Sequence, residues 1–590
     1  MLPLRWTLDD LYTSFDSPEF KKDFEAYKSE VAALSAWAQK ELQTPEDAVK
    51  KLEYYINKMN ELSKYNKLGS YASLMLSTET TNAAAAKASD AFNVASADLA
   101  EPRALFMQFV GKLPNLDELI MQSKVLQEHS FFLREQCSKS KYSLSEREEV
   151  LLAKLATSAS TAWENQRDQL TATLDVDIEL GGEKKVISFA ELRNLTYSGD
   201  VNERKAGFEA ELANYKKIDR AAAFSINGVK GEAITVAKAR GYESVLDMAL
   251  HGSRLERVTL DAMLSAMADF LPSLRRYYKH KAKWLGHANG QLPYYDLFAP
   301  IGNVDMSLNH EAAAEFIIKH FSNFSQSKGQ YVKDMFEEGH IDLEPRSGKR
   351  GGAFCHNLHP IKQSRVLMNY DGSFYGMTIL AHELGHAYHG YCLNDANYLN
   401  SVYTMPIAET ASIFAETIVT NAALETATRD EAFVILNNQL SSMIYVIMDI
   451  YSRYIFESNM IAARENGSLS VDELNALMAD AQKQAYGDAL DHDLLHPYMW
   501  LCKPHYYMVN RNFYNFPYMY GLLFGNGLYA IYQREGASFA DKYAAILAAT
   551  GSNSLEAVGE ISGINVRDKA FWVSSLKVVE NALDRFCEMQ

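Results

Sequence analysis

Helical periodicity constrains this chain more than any other feature. Ser17-Pro18 offers a capping hydroxyl followed by proline at the first helical position, and Phe20, Phe24, Tyr27, Val31 and Leu34 follow at spacings of four, three, four and three. Thr44-Pro45-Glu46-Asp47 repeats the start signal ahead of Leu52, Tyr55, Ile56 and Met59. The alanine-rich run from Asn82 to Ala100 has high helix propensity and small faces suited to close packing. Ser143-Leu-Ser-Glu-Arg-Glu-Glu opens another helix, with acidic residues where they suit the macrodipole. Stripes of this kind belong to helices packed on a core.

The period changes in two places. Leu174, Val176, Ile178 and Leu180 alternate with polar residues up to Gly181-Gly182, and Val186-Ile187-Ser188-Phe189 returns, which predicts a hairpin. Ile341-Asp342-Leu343, Gly352-Ala353-Phe354-Cys355 and the stretch from Arg365 to Tyr370 read as short strands divided by Pro- and Gly-containing turns. After Gly372 the pattern is helical to the end, apart from one loop near 498–520. The expected architecture is mainly α. A helical region spans 1–115, a small helical and hairpin subdomain 116–190, and one large domain 191–590.

A hydrophobic content of 47% with 23% charged residues suits a globular chain of 590 residues with a large core. The 58 basic and 75 acidic side chains leave −17, spread along the chain, which disfavours nucleic acid or an anionic membrane surface as the main partner. Five widely spaced cysteines with no C-x-x-C argue against a disulfide framework and for a reducing compartment. The N-terminus lacks the basic-then-apolar layout of a signal peptide, and no apolar run approaches a membrane span. A cytoplasmic location is expected.

Ala381-His382-Glu383-Leu384-Gly385-His386-Ala387-Tyr388-His389 carries the chemistry. On a helix, His382 and His386 lie on one face about a turn apart and can close on one zinc, with Glu383 placed to act on its water. Chance predicts roughly 0.02–0.03 such matches in a chain of this length. The metzincin extension requires Gly at 389 and His at 392, where this chain has His389 and Cys392, so that class is excluded.

A third ligand must come from elsewhere. Glu409 and Glu416, in Pro406-Ile-Ala-Glu-Thr-Ala-Ser-Ile-Phe-Ala-Glu, lie seven apart on one face of an otherwise largely apolar helix, and no basic residue lies between Ser401 and Thr428. Glu409 is favoured over the salt-bridge alternative as the ligand, and Glu416 as a group that orients a ligand imidazole or packs the site. His389 sits about 10 Å along the helix from His382, too far to share one ion with both histidines. It could support the site from behind, touch substrate, or simply be hydrogen-bonded. Cys355 and Cys392 are better read as small buried residues than as ligands.

Three protein ligands leave zinc a position for water, whose pKa falls to about 7, and Glu383 can take its proton as it attacks a carbonyl. A donor for the oxyanion is still required. The segment 498–520 holds nine aromatic residues in 23 positions, against about three from the chain average of 12%. It offers His505 and several phenols. The strands ahead of the zinc helix could present an edge to an extended peptide or serve only to brace that helix.

With these residues assembled, the chain resembles the oligoendopeptidase F branch of the thimet oligopeptidase family of zinc metallopeptidases. The resemblance runs from Trp6-Thr-Leu-Asp-Asp-Leu-Tyr12 through Arg240-Gly-Tyr-Glu-Ser244, Gly348-Lys-Arg-Gly-Gly-Ala-Phe354, the zinc motif and Ala408-Glu-Thr-Ala-Ser412 to His505-Tyr-Tyr507 and Phe513-Tyr-Asn-Phe-Pro-Tyr518. It implies a mostly helical, two-lobed peptidase with a deep channel that admits short unstructured peptides and excludes folded proteins. It also implies one Zn2+ held by His382, His386 and Glu409, with Glu383 as base. His505 and a tyrosine would stabilise the transition state, Tyr518 first and Tyr514 second. A zinc carboxypeptidase or dipeptidyl carboxypeptidase on the same scaffold is the alternative enzyme, and a non-catalytic peptide-binding scaffold the alternative outside enzymes.

Overall fold

The computed structural model describes residues 2–302, 304 and 306–589. Met1, Asn303, Asp305 and Gln590, which include the outer ends of the first and last expected segments, lie outside them. Ser17 caps Pro18–Glu41 as the sequence predicts, its hydroxyl accepting the Phe20 N–H. The Thr44-Pro45 signal is corrected. The second helix begins three residues later, at Ala48, because Asp47 adopts a left-handed backbone (φ 52°) after a bend at Thr44, whose carbonyl accepts from Lys51 Nζ (2.9 Å). Asn82 caps Ala83–Ala97, and Ser145 forms a capping box with Glu148 at the helix Glu146–Ala156.

Two hydrophobic cores result. The first gathers residues from Leu8 to Leu133 with Leu358, and the second runs from Leu174 to Phe586. The stretch 116–190 contributes to both, with Leu116, Ile120, Leu126 and Leu133 in the first and Leu174, Val176 and Ile178 in the second. The hairpin forms as expected, β1 (Val176–Leu180) antiparallel to β2 (Glu183–Ile187). Its buried-exposed alternation on β1 is the period-two pattern read from the sequence.

The second sheet joins the cores. β3 (Ile341–Asp342), β4 (Ala353–Leu358) and β5 (Gln363–Met368) lie in the order β3-β5-β4, with β3 parallel and β4 antiparallel to β5. Arg365, fully buried in β5, donates to the Thr7 carbonyl (3.0 Å) and to Asp10 (2.9 Å), and His356 of β4 bonds Ser70 (2.9 Å). A buried guanidinium must be satisfied, so this arginine ties the N-terminal segment to the sheet.

Four helices frame the region that concerns function. The first is Phe374–Cys392, capped by Ser373 and carrying the His-Glu-x-x-His motif. Thr410–Leu424 follows, then a helix of 36 residues, Arg429–Arg464, and finally Phe516–Glu535. Arg429–Arg464 corrects one expectation, because it is long and apolar enough to cross a membrane by length and composition. Here it lies inside the second core, with 61% of its most apolar window buried.

Glycine sets the distances among these helices. A Cβ at Gly385 would stand 2.5 Å from the Ala411 carbonyl oxygen and 2.6 Å from Ser412 Cα, and one at Gly521 would stand 2.8 Å from Glu409 Cβ. Gly385→Ala should gain about 1 kcal/mol in helix propensity but lose about 1–3 kcal/mol to a clash with backbone that cannot rotate away. The net expectation is a lower melting temperature, and a variant melting at or above the parent would contradict this packing.

Candidate metal centre and active site

His382 and His386 project from one face of their helix as neighbours one turn apart, ring centroids 5.0 Å apart and planes at 83°. Glu409 meets them from the joint between the short helix Met405–Ala408 and the helix Thr410–Leu424. Its Oε2 is 3.2 Å from His382 Nε2 and 3.4 Å from His386 Nε2. One ligand atom from each of the three residues lies within 4.8 Å of the others, among the described residues the one such grouping of three or more His, Cys, Asp and Glu. Two imidazoles and a carboxylate converging on a common point, with no lysine or arginine paired to the carboxylate, form the donor set that zinc takes in a three-ligand site.

Supporting groups surround this set. Glu416 Oε2 is 3.3 Å from His382 Nδ1, the arrangement that fixes an imidazole with its Nε2 facing a metal. Ser412 Oγ donates to Glu409 Oε2 (2.9 Å) and to the Glu409 carbonyl (2.9 Å), so the carboxylate is oriented from its own first turn. Two carboxylates against one imidazole, outweighing burial, push His382 up to about 10. Burial and hydrogen bonds from the two histidines act oppositely on Glu409, and the bonds win, holding it far below the usual carboxylate range.

Glu383 is buried beside the pair, and burial raises its pKa despite the two histidines. The Cys355 backbone N–H reaches its carboxylate from β4. Glu383, His382 and Glu409 line a cavity of about 460 Å³, together with Tyr375, Ala353 of β4 and Tyr518. β4 is the edge of its sheet, so the strand that braces the helix also borders the cavity.

The aromatic segment reaches the site by one residue. Tyr518, in the first turn of Phe516–Glu535, lines the cavity, with its phenol pKa raised by burial, the Tyr514 hydroxyl and Glu409. Tyr514 lies behind it at 5.3 Å between centroids, its hydroxyl against Met405 Sδ (3.8 Å). His505 faces both rings, 6.2 Å from Tyr518 and 5.4 Å from Tyr514. Burial, then Arg453, Lys503 and Arg167, push His505 down to about 4, and its Nδ1 is buried without a hydrogen-bond partner. Among the nine aromatics, Tyr506, Tyr507 and Tyr520 are core side chains.

His389 departs from the expected supporting role. It is fully buried, stacks on Tyr403 (4.1 Å) and bonds Thr550 through Nε2 (2.8 Å), so its ring is engaged with the core instead of a ligand. Of the three roles open to it, the plain hydrogen bond is the one observed.

Sequence reasoning missed the clamp that shapes the aromatic loop. Glu457, 1% exposed as a residue, accepts from Lys230 Nζ (2.7 Å), the Phe513 N–H (3.0 Å) and Asn515 Nδ2 (2.8 Å), and Lys230 also donates to Asn512 (2.9 Å). The clamp holds Phe513 in a left-handed conformation (φ 55°), an unfavourable state for a bulky residue that surrounding bonds must enforce. The available signal was Asp449, Arg453 and Glu457 at successive fourth positions inside an otherwise apolar helix.

Comparison with known proteins identifies the architecture. A profile described as Peptidase family M3 matches residues 194–578, and one described as Oligopeptidase F matches 114–175. The chain belongs to peptidase family M3. It is 23% identical over 602 residues to Oligopeptidase PepF of Bacillus subtilis, covering 99% of this chain and 87% of that one. It is 26% identical over 457 residues to an oligoendopeptidase F homolog of Lactococcus lactis, covering 76% of this chain and 74% of that one. The crystal structure of oligoendopeptidase-F from Enterococcus faecium superimposes with a TM-score of 0.70 at 19% identity, covering 96% of this chain and 99% of that one. The M3 fold is therefore the mainly helical one expected from periodicity.

Two outcomes follow from these contacts. Glu457→Leu leaves Lys230 buried and unpaired and should cost about 3–5 kcal/mol, with faster amide exchange through 508–518 before global unfolding; uniform exchange along the chain would contradict a local clamp. His389 has an ordinary pKa of about 6.5 when unfolded, and burial lowers it to about 3 in the fold. Between those values the unfolded chain binds a proton that the native one does not. The stability contributed is therefore full above about pH 6.5 and falls as pH drops, by up to ~1.4 kcal/mol per unit. Urea midpoints should decline over that window less steeply in His389→Asn than in the parent.

Proposed function

We propose that this M3 peptidase is a zinc endopeptidase of short, unstructured peptides. The observation that carries the reading is the convergence of His382, His386 and Glu409, two of which line one cavity with Glu383. The donor set suits a single zinc ion, which when bound supplies Lewis acidity and makes water nucleophilic near neutral pH. Glu383, buried and raised in pKa, takes the proton of the attacking water and delivers it to the leaving nitrogen as the C–N bond breaks. Tyr518 keeps its phenol proton and donates to the developing oxyanion, with His505, neutral at pH 7, and Tyr514 behind it.

β4 offers the extended substrate a strand edge at Ala353, so the backbone of the peptide can pair there while side chains enter the cavity. Pairing along a strand edge requires an unfolded segment, which supports peptides over folded proteins. Several of the curated relatives are named oligoendopeptidases, which supports internal cleavage over the carboxypeptidase reading. All five cysteines are unpaired, which supports a reducing, cytoplasmic setting.

The decisive comparison pairs two variants. Glu383→Gln should keep about one zinc per chain by elemental analysis yet lose peptide cleavage by at least ~100-fold, while Glu409→Ala should lose both. Undiminished turnover in Glu383→Gln would remove the assigned base, and full zinc content in Glu409→Ala would remove the third ligand.

A further inference from the structure

A second cavity, of about 650 Å³, is one that the chemistry above does not use. It lies between the helix Glu146–Ala156, the helix Asp219–Arg240 and the loop 509–517. Its partition from the zinc cavity is thin. Tyr514 lines this cavity and Tyr518 the other, and their rings are 5.3 Å apart. Pro517 and Tyr518 are adjacent in sequence and face different cavities. On the other side, Met405 lines this cavity while Glu409, four residues on, is a candidate zinc ligand. The Glu457 clamp that shapes the loop from 512 to 515 therefore shapes both spaces at once.

The wall chemistry indicates what enters. The helix Glu146–Ala156 has no described buried residue. Leu152, Ala153 and Ala156 of the same helix line the cavity, opposite Val229 and Ala233. Apolar side chains that line a cavity gain free energy from an apolar occupant.

The charges at the walls are mostly spoken for. Arg240 pairs with Glu149 through two contacts of 2.8 Å, and Glu232 accepts from Ser160 N–H (2.9 Å) and Oγ (2.5 Å). Arg511 differs. It is exposed, its guanidinium lies over the Tyr514 ring at 5.3 Å, and among the described residues it has no carboxylate within ion-pair distance.

We infer that this cavity is a remote arm of the substrate site, which takes apolar side chains of the bound peptide away from the scissile bond and a carboxylate against Arg511. The inference rests on the zinc-endopeptidase reading and extends it from the reacting bond to the rest of the substrate. A peptide long enough to pass the Tyr514–Tyr518 partition gains affinity here, whereas a shorter one ends before it. The carboxylate can belong to the peptide C-terminus or to an acidic side chain, since a guanidinium binds both through the same paired hydrogen bonds.

The test uses full-length, zinc-loaded enzyme and a synthetic series lengthened one residue at a time on each side of a fixed cleavable bond. In the parent, kcat/KM should step up at one length on one side. Ala153→Trp and Ala156→Phe, both on the cavity face of an exposed helix, fill the space from the solvent side. Each should cut the ratio of long-peptide to short-peptide kcat/KM about tenfold, the worth of one apolar side chain in a pocket. Arg511→Met should reduce the ratio for peptides bearing the carboxylate and not for those lacking it. Loss on C-terminal amidation identifies the terminus as its source, and loss on Glu→Gln within the peptide identifies a side chain. A ratio within twofold of the parent in both cavity-filling variants overturns the inference. The underlying reading is scored separately, by cleavage of the shortest substrate in the parent and its loss in Glu383→Gln.

Discussion

The arrangement depends on one backbone contact, the crossing at Gly385 of the helix carrying the histidines and the helix that begins after Glu409. Without a side chain at 385, the carbonyl of Ala411 and the backbone of Ser412 come within the space a methyl would occupy. That approach brings Glu409 Oε2 within 3.2–3.4 Å of both imidazoles. Gly521 repeats the device from the opposite side, where the helix bearing Tyr518 closes on Glu409 itself. Three helices thus meet at a carboxylate, and the geometry of the candidate ligands is a consequence of how near their backbones can come.

Electrostatics is tuned to the same point. Burial alone would neutralise these groups, lowering a histidine and raising a glutamate. Around His382 the carboxylates of Glu409 and Glu416 outweigh burial, whereas at Glu383 burial prevails. Neighbouring residues on one helix therefore have opposite character. One imidazole is held in an anionic pocket suited to a cation, and one carboxylate is made more basic, as a proton acceptor requires.

The aromatic loop has a different origin. Its shape comes from a buried lysine and glutamate more than two hundred residues apart, Lys230 and Glu457, whose bonds enforce a left-handed Phe513. Arg167 adds to this by donating to the carbonyls of Leu501 and Cys502 ahead of the loop. The loop is in turn the partition between two cavities, so packing in the second core governs both the position of Tyr518 and the space beyond it.

The sequence by itself determined what short-range physics controls. Apolar spacing fixed the helices, alternation fixed the hairpin and the small sheet, and the separation of four put His382 and His386 on one face. An acidic pair in a segment without bases also singled out Glu409 as a candidate ligand, because an unpaired carboxylate in apolar surroundings needs a partner. Residues whose roles depend on distant partners were not legible in this way. His389 shares the helix face of His382, yet its ring is taken up by Thr550 and Tyr403, a choice set by packing. The start at Ala48 in place of Pro45 turned on the backbone angle of a single aspartate. The resemblance ranked Tyr518 ahead of Tyr514, and the tertiary structure puts Tyr518 on the cavity that holds His382 and Glu383 and Tyr514 on the neighbouring one. Periodicity records which way a side chain leaves its own element, whereas what it meets is decided by contacts between elements far apart in the chain.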